Sequence, residues 1–170
     1  TGILSGDTML ILAYQYFEQY EPNIFQELAK IFSKTAIEVC EGQQYDVDFE
    51  QQAQVSTDQY LKMIAYKTAV LVGAALQMGA IIAQTTKENK QKIYDFGLAL
   101  GIAYQLQDDY LDTFGDASFG KKIGGDILQN KKTLLYLKAL EKGTPEQKQE
   151  LLTLYSAEPK SEEEKIARVT

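Results

Sequence analysis

The sequence predicts an all-α fold, and three observations predict it. Apolar residues recur at three- and four-residue spacing through almost every segment. No stretch alternates with period two for long enough to make a strand. The three prolines, Pro22, Pro145 and Pro159, each fall where a helix should begin or break.

The elements follow in order. Ser5-Gly6-Asp7 offers caps for a first helix running to about residue 20. Pro22 sits in the first turn of a second, roughly 22–45, with Ile24, Leu28, Ile31, Phe32, Thr35 and Val39 along one face. Ser56-Thr57-Asp58 caps a third helix, about 57–84, and a fourth spans about 88–114. Shorter helices are expected at about 130–142, at 145–156 and from Ser161 onward. Residues 47–55 and the glycine-punctuated stretch 115–126 read as loops. With 170 residues, 45% of them apolar, and no repeat or linker, the chain reads as a single all-α domain over 1–170.

Composition excludes much chemistry. There is no histidine, which removes Ser–His–Asp and Cys–His nucleophile systems and every His-bearing zinc site. The single cysteine, Cys40, cannot form an intramolecular disulfide, and it suits a reducing cytoplasm. The net charge of −7 argues against binding nucleic acid or an anionic membrane surface. No basic, hydrophobic leader opens the sequence, so no signal peptide is expected. The longest mostly apolar run, 69–83, has 15 residues and carries Gln77, Gly73 and Gly79. A bilayer span needs about 20, so this run reads as a buried helix and no integral membrane span is expected.

The remaining chemistry lies in carboxylates and lysines. On the fourth helix, Gly97, Gly101, Gln105, Asp108 and Asp112 fall within an arc of about 80°, with Asp109 beside them. Carboxylates one turn apart repel, and at a helix C-terminus the macrodipole opposes them as well. A hard divalent cation such as Mg²⁺ would compensate; a solvated acidic helix end is the plain alternative. Downstream come Gly120-Lys121-Lys122-Ile123-Gly124-Gly125-Asp126 and Asn130-Lys131-Lys132-Thr133. Glycines let backbone approach an anion and lysines supply charge to phosphate, although the same residues could form a flexible basic loop ending at Asp126 as a helix cap. Lys67 could equally snorkel from the end of an apolar helix. Leu71, Ala74 and Met78 on its face read either as core or as the wall of an apolar cavity.

These residues carry a resemblance. The segment Tyr104-Gln105-Leu106-Gln107-Asp108-Asp109-Tyr110-Leu111-Asp112-Thr113-Phe114-Gly115-Asp116 resembles the second aspartate-rich motif of the trans-isoprenyl diphosphate synthases, of farnesyl and geranylgeranyl type. Three more stretches are similar to that family in the right order: Gly42-Gln43-x-x-Asp46, Lys67-Thr68-Ala69, and Lys122-Ile123-Gly124-Gly125-Asp126 with Asn130-Lys131.

The resemblance implies an isoprenoid synthase-type helical bundle and Mg²⁺-dependent condensation of an allylic prenyl diphosphate with isopentenyl diphosphate. By it, Asp108 would be a direct metal ligand, and Asp109, Asp112 and Asp126 would act on the metal or its waters. Lys67, Lys122 and Lys131 would hold the leaving diphosphate. Thr68, Gln105 and the Lys67 carbonyl would face the allylic cation, while Gln43 and Asp46 would line the allylic pocket. It also implies a cytoplasmic homodimer.

One part of the family pattern is missing. The first aspartate-rich motif, its neighbouring arginines and the residues that set product length are not found in these 170 residues. The chain is therefore expected to be the central to C-terminal part of a larger prenyl synthase domain, inactive by itself. A class I terpene cyclase and a noncatalytic helical subunit of a prenyl synthase are the alternative readings.

Overall fold

The computed structural model describes residues 1–116, 120, 122–156 and 161–170. Lys121, in the glycine–lysine loop, and Pro159, expected to break a helix, lie outside the described residues. Helices account for every regular element among them, with no strand. They are α1 Gly2–Gln15, α2 Pro22–Gln51, α3 Thr57–Ile64, a π-helical turn Ala65–Ala69, α4 Val70–Ile82, α5 Lys87–Phe114, α6 Gly125–Leu128, α7 Leu134–Lys142, α8 Pro145–Ser156 and α9 Glu162–Val169. The all-α expectation holds.

Local chemistry explains most boundaries. Ser56 and Gln59 form a reciprocal capping box, with bonds of 3.1 and 2.8 Å, that starts α3. Thr86 caps α5 by accepting from the Asn89 amide, and Ser161 does the same for α9 from Glu164. Pro22 occupies the first turn of α2, where its missing N–H costs nothing.

Four boundaries differ from the sequence expectation, the first being the end of α1 at Gln15 where about residue 20 is expected. Helix α1 already begins at Gly2, so Ser5 turns its hydroxyl back to the Thr1 carbonyl and does not cap. Helix α2 continues six residues past the expected end near 45, to Gln51. Its last carbonyls have a partner that spacing rules could not reveal: Lys132 Nζ donates to the Phe49 oxygen at 2.5 Å and the Glu50 oxygen at 3.2 Å. Asn130 adopts φ 56°, a left-handed conformation that divides the expected 130–142 helix from the short α6 before it.

Helices α3 and α4, joined by the π turn, form one helical rod, Thr57–Ile82, of 26 residues. By length and composition it is long and apolar enough to cross a membrane, contrary to the reading of the 15-residue apolar run. In the fold it is the central helix, packed between α2 and α5. Glycines allow that closeness. A Cβ on Gly42 of α2 would sit 2.2 Å from the Lys67 amide nitrogen, and one on Gly101 of α5 would sit 2.5 Å from Ala69 Cα. Further along, Gly97 approaches Gly73 in the same way, at 2.7 Å. Two apolar clusters close the ends: Phe49, Tyr60, Met63, Ile64, Tyr136 and Leu137 at one, and Ile24, Leu28 and Ile81 at the other. Helix α1 sits on α2 through mutually edge-on rings of Tyr14, Phe17 and Phe32, and buries none of its own residues.

The π turn can persist only while both flanking helices lie against its backbone. Gly42→Ala is therefore expected to destabilise the fold by about 2–3 kcal/mol, since backbone atoms must move to admit the methyl group. Urea unfolding checks this, with Gly79→Ala as the comparison, because a Cβ at Gly79 meets nothing within 4 Å.

Candidate active site

The π turn carries the residues that matter. The Val70 N–H donates to the Ala65 carbonyl, five residues back, which widens the helix by one residue at Lys67-Thr68. Lys67 and Thr68 consequently face α2 and α5. Lys67 Nζ contacts Asp46 Oδ2 of α2 at 2.5 Å, and Thr68 Oγ1 donates to Gln105 Oε1 of α5 at 3.0 Å.

From Gln105 the bonds continue. Gln105 Nε2 donates to Asp109 Oδ1 at 2.8 Å, and Tyr60 Oη donates to Asp109 Oδ2 at 2.5 Å. Asp109 is 4% exposed and Tyr60 1%. The inward edge of α5 is thus Gly97, Gly101, Gln105, Asp109 and Thr113, at strict four-residue spacing. Sequence geometry set Asp109 beside the carboxylate face; the structure makes it the buried member. Each of its oxygens accepts one bond from the network, so it orients Gln105. That fixes the amide: its nitrogen faces Asp109, and its oxygen lies toward Thr68.

Burial holds the Asp109 carboxyl above its ordinary range, although the hydrogen bonds from Tyr60 and Gln105 pull it down. Burial, with the charge of Asp109, also pushes the Tyr60 phenol upward, so it donates as a neutral hydroxyl.

The other carboxylates are differently placed. Asp112 Oδ2 accepts the Asp126 backbone N–H at 3.0 Å, which satisfies a donor at the start of α6. Asp112, and not Asp126, is therefore the acceptor at that terminus. Burial raises the Asp112 pKa and the α6 N–H groups oppose it. Asp126 Oδ1 lies 3.0 Å from Lys131 Nζ. Burial works against the Lys131 ammonium, but the bond to Asp126 and its charge outweigh it and raise the pKa.

A cavity of about 260 Å³ gathers these groups: Asp46, Tyr60, Lys67, Gln105, Asp108, Asp109, Asp126, Lys131 and Lys132 line it. Four expected residues do not line it: Thr68 and Asp112, held by the bonds described above, and two more on the surface. Gln43 is exposed on α2, and Lys122 is exposed and pairs with Glu162 of α9 at 2.5 Å. Sequence reasoning missed Tyr60 and Lys132, although Lys132 stood within the quoted Asn-Lys-Lys segment. Among the described residues, no three acidic or sulfur side chains gather into a metal-holding group. Asp108 and Asp126 both line the cavity, and one or two carboxylates suit Mg²⁺, which completes its shell with water and phosphate.

The fold is of the isoprenoid synthase type, an all-α bundle whose facing helices hold carboxylates and lysines around one cavity. A profile of the polyprenyl synthetase family matches residues 1–170, and the chain belongs to that family. It is 39% identical over 150 residues to a geranylfarnesyl diphosphate synthase of Natronomonas pharaonis, covering 84% of this chain and 43% of that protein. It is 37% identical over 145 residues to a geranylgeranyl diphosphate synthase of Methanosarcina mazei, covering 84% of this chain and 45% of that one. Among solved structures, a geranylgeranyl pyrophosphate synthase superposes with TM-score 0.92 at 53% identity, covering 99% of this chain and 52% of the other. A geranylgeranyl pyrophosphate synthetase from Pyrococcus horikoshii gives TM-score 0.86 at 32% identity, covering 98% of this chain and 52% of that one. The chain spans about half the length of the proteins it matches.

Because its folded-state pKa is raised, Asp109 contributes most stability in acid and loses it as pH rises through that pKa. Tyr60→Phe removes one of its two donors. The variant is expected to lose about 1–3 kcal/mol at neutral pH, with a smaller deficit at pH values where Asp109 is protonated. Paired urea titrations of both proteins at neutral pH and through the acid range check this.

Proposed function

We propose that this chain supplies the diphosphate-binding wall of a prenyltransferase that joins an allylic prenyl diphosphate to isopentenyl diphosphate. The observation that carries the reading is the convergence of Lys67, Lys131 and Asp108 on a cavity bordered by the Thr68–Gln105–Asp109–Tyr60 network. Family membership over the whole chain supports it.

The chemistry divides among the residues. When the allylic C–O bond breaks, its electron pair leaves with the diphosphate, and negative charge develops on oxygens near Lys67 and Lys131. Their partners Asp46 and Asp126 keep both ammonium groups inside the cavity until phosphate replaces the carboxylates. The chemistry supplied by a bound Mg²⁺ ion is neutralisation of the same diphosphate charge, and Asp108 and Asp126 are the side chains that would hold it. Asp109 and Asp112 would act on it only through the groups they orient.

The allylic cation left behind needs oxygen dipoles and no strong nucleophile. The Gln105 amide oxygen and the Thr68 hydroxyl oxygen meet that need, because the Asp109 network fixes which end of the amide faces Thr68. Carbon–carbon bond formation then uses the isopentenyl double bond, and the proton lost in elimination passes to the departed diphosphate. Histidine has no role to fill. The reading also carries a cytoplasmic homodimer, and the exposed apolar residues Ile3, Leu4, Met9 and Ile11 on α1 offer a surface for a further protein element to cover.

Calorimetric titration of the chain with inorganic pyrophosphate tests the reading. Binding should require Mg²⁺, and Asp108→Asn and Lys131→Ala should each weaken it about tenfold or more. Binding indifferent to Mg²⁺ and to both substitutions would overturn it.

A further inference from the structure

One buried charge has no part in this chemistry. Lys165, on α9, is 2% exposed, and no carboxylate pairs with it among the described residues. Burying an ammonium group without a counter-charge is costly, and burial lowers its pKa. Its Nζ donates to Asn130 Oδ1 at 2.5 Å and lies 5.2 Å from the Tyr155 ring centroid.

Asn130 is the hinge of the segment that brings lysines to the cavity. It sits at φ 56°, a left-handed conformation that asparagine tolerates and alanine disfavours. The Lys131 amide immediately after it donates to the Asp126 carbonyl at 2.9 Å, and Lys131 Nζ reaches Asp126 Oδ1 at 3.0 Å. Lys132 then reaches back to the carbonyls that end α2. The left-handed residue thus sends two successive lysines to the cavity wall.

Helix α9 grips the other end of this segment as well. Gly124, at φ 79°, lies so close to α9 that a Cβ there would sit 2.6 Å from Ile166 Cγ1. Glu162 holds Lys122 just before it. Neighbouring residues of one helix, Lys165 and Ile166, therefore brace the turns on both sides of α6.

We propose that Lys165 is a positioning residue of the diphosphate site. By holding the Asn130 side chain it keeps the left-handed turn in place, and so fixes Lys131 at the cavity. The ligand in this statement rests on the proposed function; the bracing of the turn does not.

The test uses Lys165→Met, Asn130→Ala, Asn130→Gly and the double variant Lys165→Met/Asn130→Gly, with inorganic pyrophosphate and Mg²⁺ as the probe. Lys165→Met and Asn130→Ala should each bind pyrophosphate about tenfold more weakly, the size expected when an outer support of a binding group is removed. Glycine takes positive φ without strain, so Asn130→Gly should bind like the parent chain and should restore most of the loss in the double variant. A lysine that serves only as packing predicts no such rescue. Hydrogen exchange at the Lys131 amide gives a readout independent of ligand. It should quicken about tenfold in Lys165→Met and in Asn130→Ala, while amides of α4 and α5 keep their rates. Failure of the parent chain to bind pyrophosphate would count against the proposed function, and amide exchange would still decide the role of Lys165. Unchanged exchange in both variants, or a binding loss that Asn130→Gly does not restore, overturns the proposal.

Discussion

The site depends on a backbone contact. Gly42 of α2 touches the peptide of Lys67 and Gly101 of α5 touches Ala69, so the π turn between them is clasped from two sides. A π turn is normally a weak point of a helix, since it spaces the backbone bonds less favourably. Here the close packing that glycine permits stabilises it, and the extra residue turns Lys67 toward α2 and Thr68 toward α5. Straighten that turn and the lysine loses Asp46 while the threonine loses Gln105. The small residues along these helices serve backbone approach.

Acidic groups survive together here through partners from other elements. Helix α5 ends in three aspartates, against both charge repulsion and the macrodipole. For Asp109 and Asp112 the compensating groups are plain in the fold. Tyr60 and Gln105 hold Asp109, and the first turn of α6 donates to Asp112. Asp108 lines the cavity beside them. Burial of Asp109 therefore does structural work for Gln105, and the net charge of −7 describes the outer surface more than the cavity, where Lys67, Lys131 and Lys132 gather.

Much of this was legible in the sequence. Helical spacing and the absence of period-two alternation were enough for the fold class, and Ser56, Thr86 and Ser161 are caps of ordinary type. The pairs Lys67-Thr68 and Gln105 with the aspartates were also visible, because their spacing along the chain is local. What escaped was long-range. The π turn leaves no mark on composition, and a regular 100° step through residues 65–69 aims Lys67 along the Leu71 face, whereas Leu71 in the fold is exposed. Asp109 turns inward because Tyr60, 49 residues earlier, is there to meet it. The end of α2 was set too early because Lys132, 83 residues away from Phe49, supplies the missing donor. The sequence neighbours of Lys122 group it with the diphosphate lysines, and in the fold it pairs with Glu162 at the surface.

The central claim is that the π turn sets Lys67 and Thr68 against the aspartate helix and so shapes a diphosphate site. A crystal structure of this chain grown with Mg²⁺ and inorganic pyrophosphate tests it most directly. The Val70-to-Ala65 backbone bond should be intact, with Thr68 on Gln105 and pyrophosphate between Lys67 and Lys131 beside Asp108. An unbroken α-helix through residues 65–69, with Lys67 turned away from a cavity that holds no anion, would contradict it.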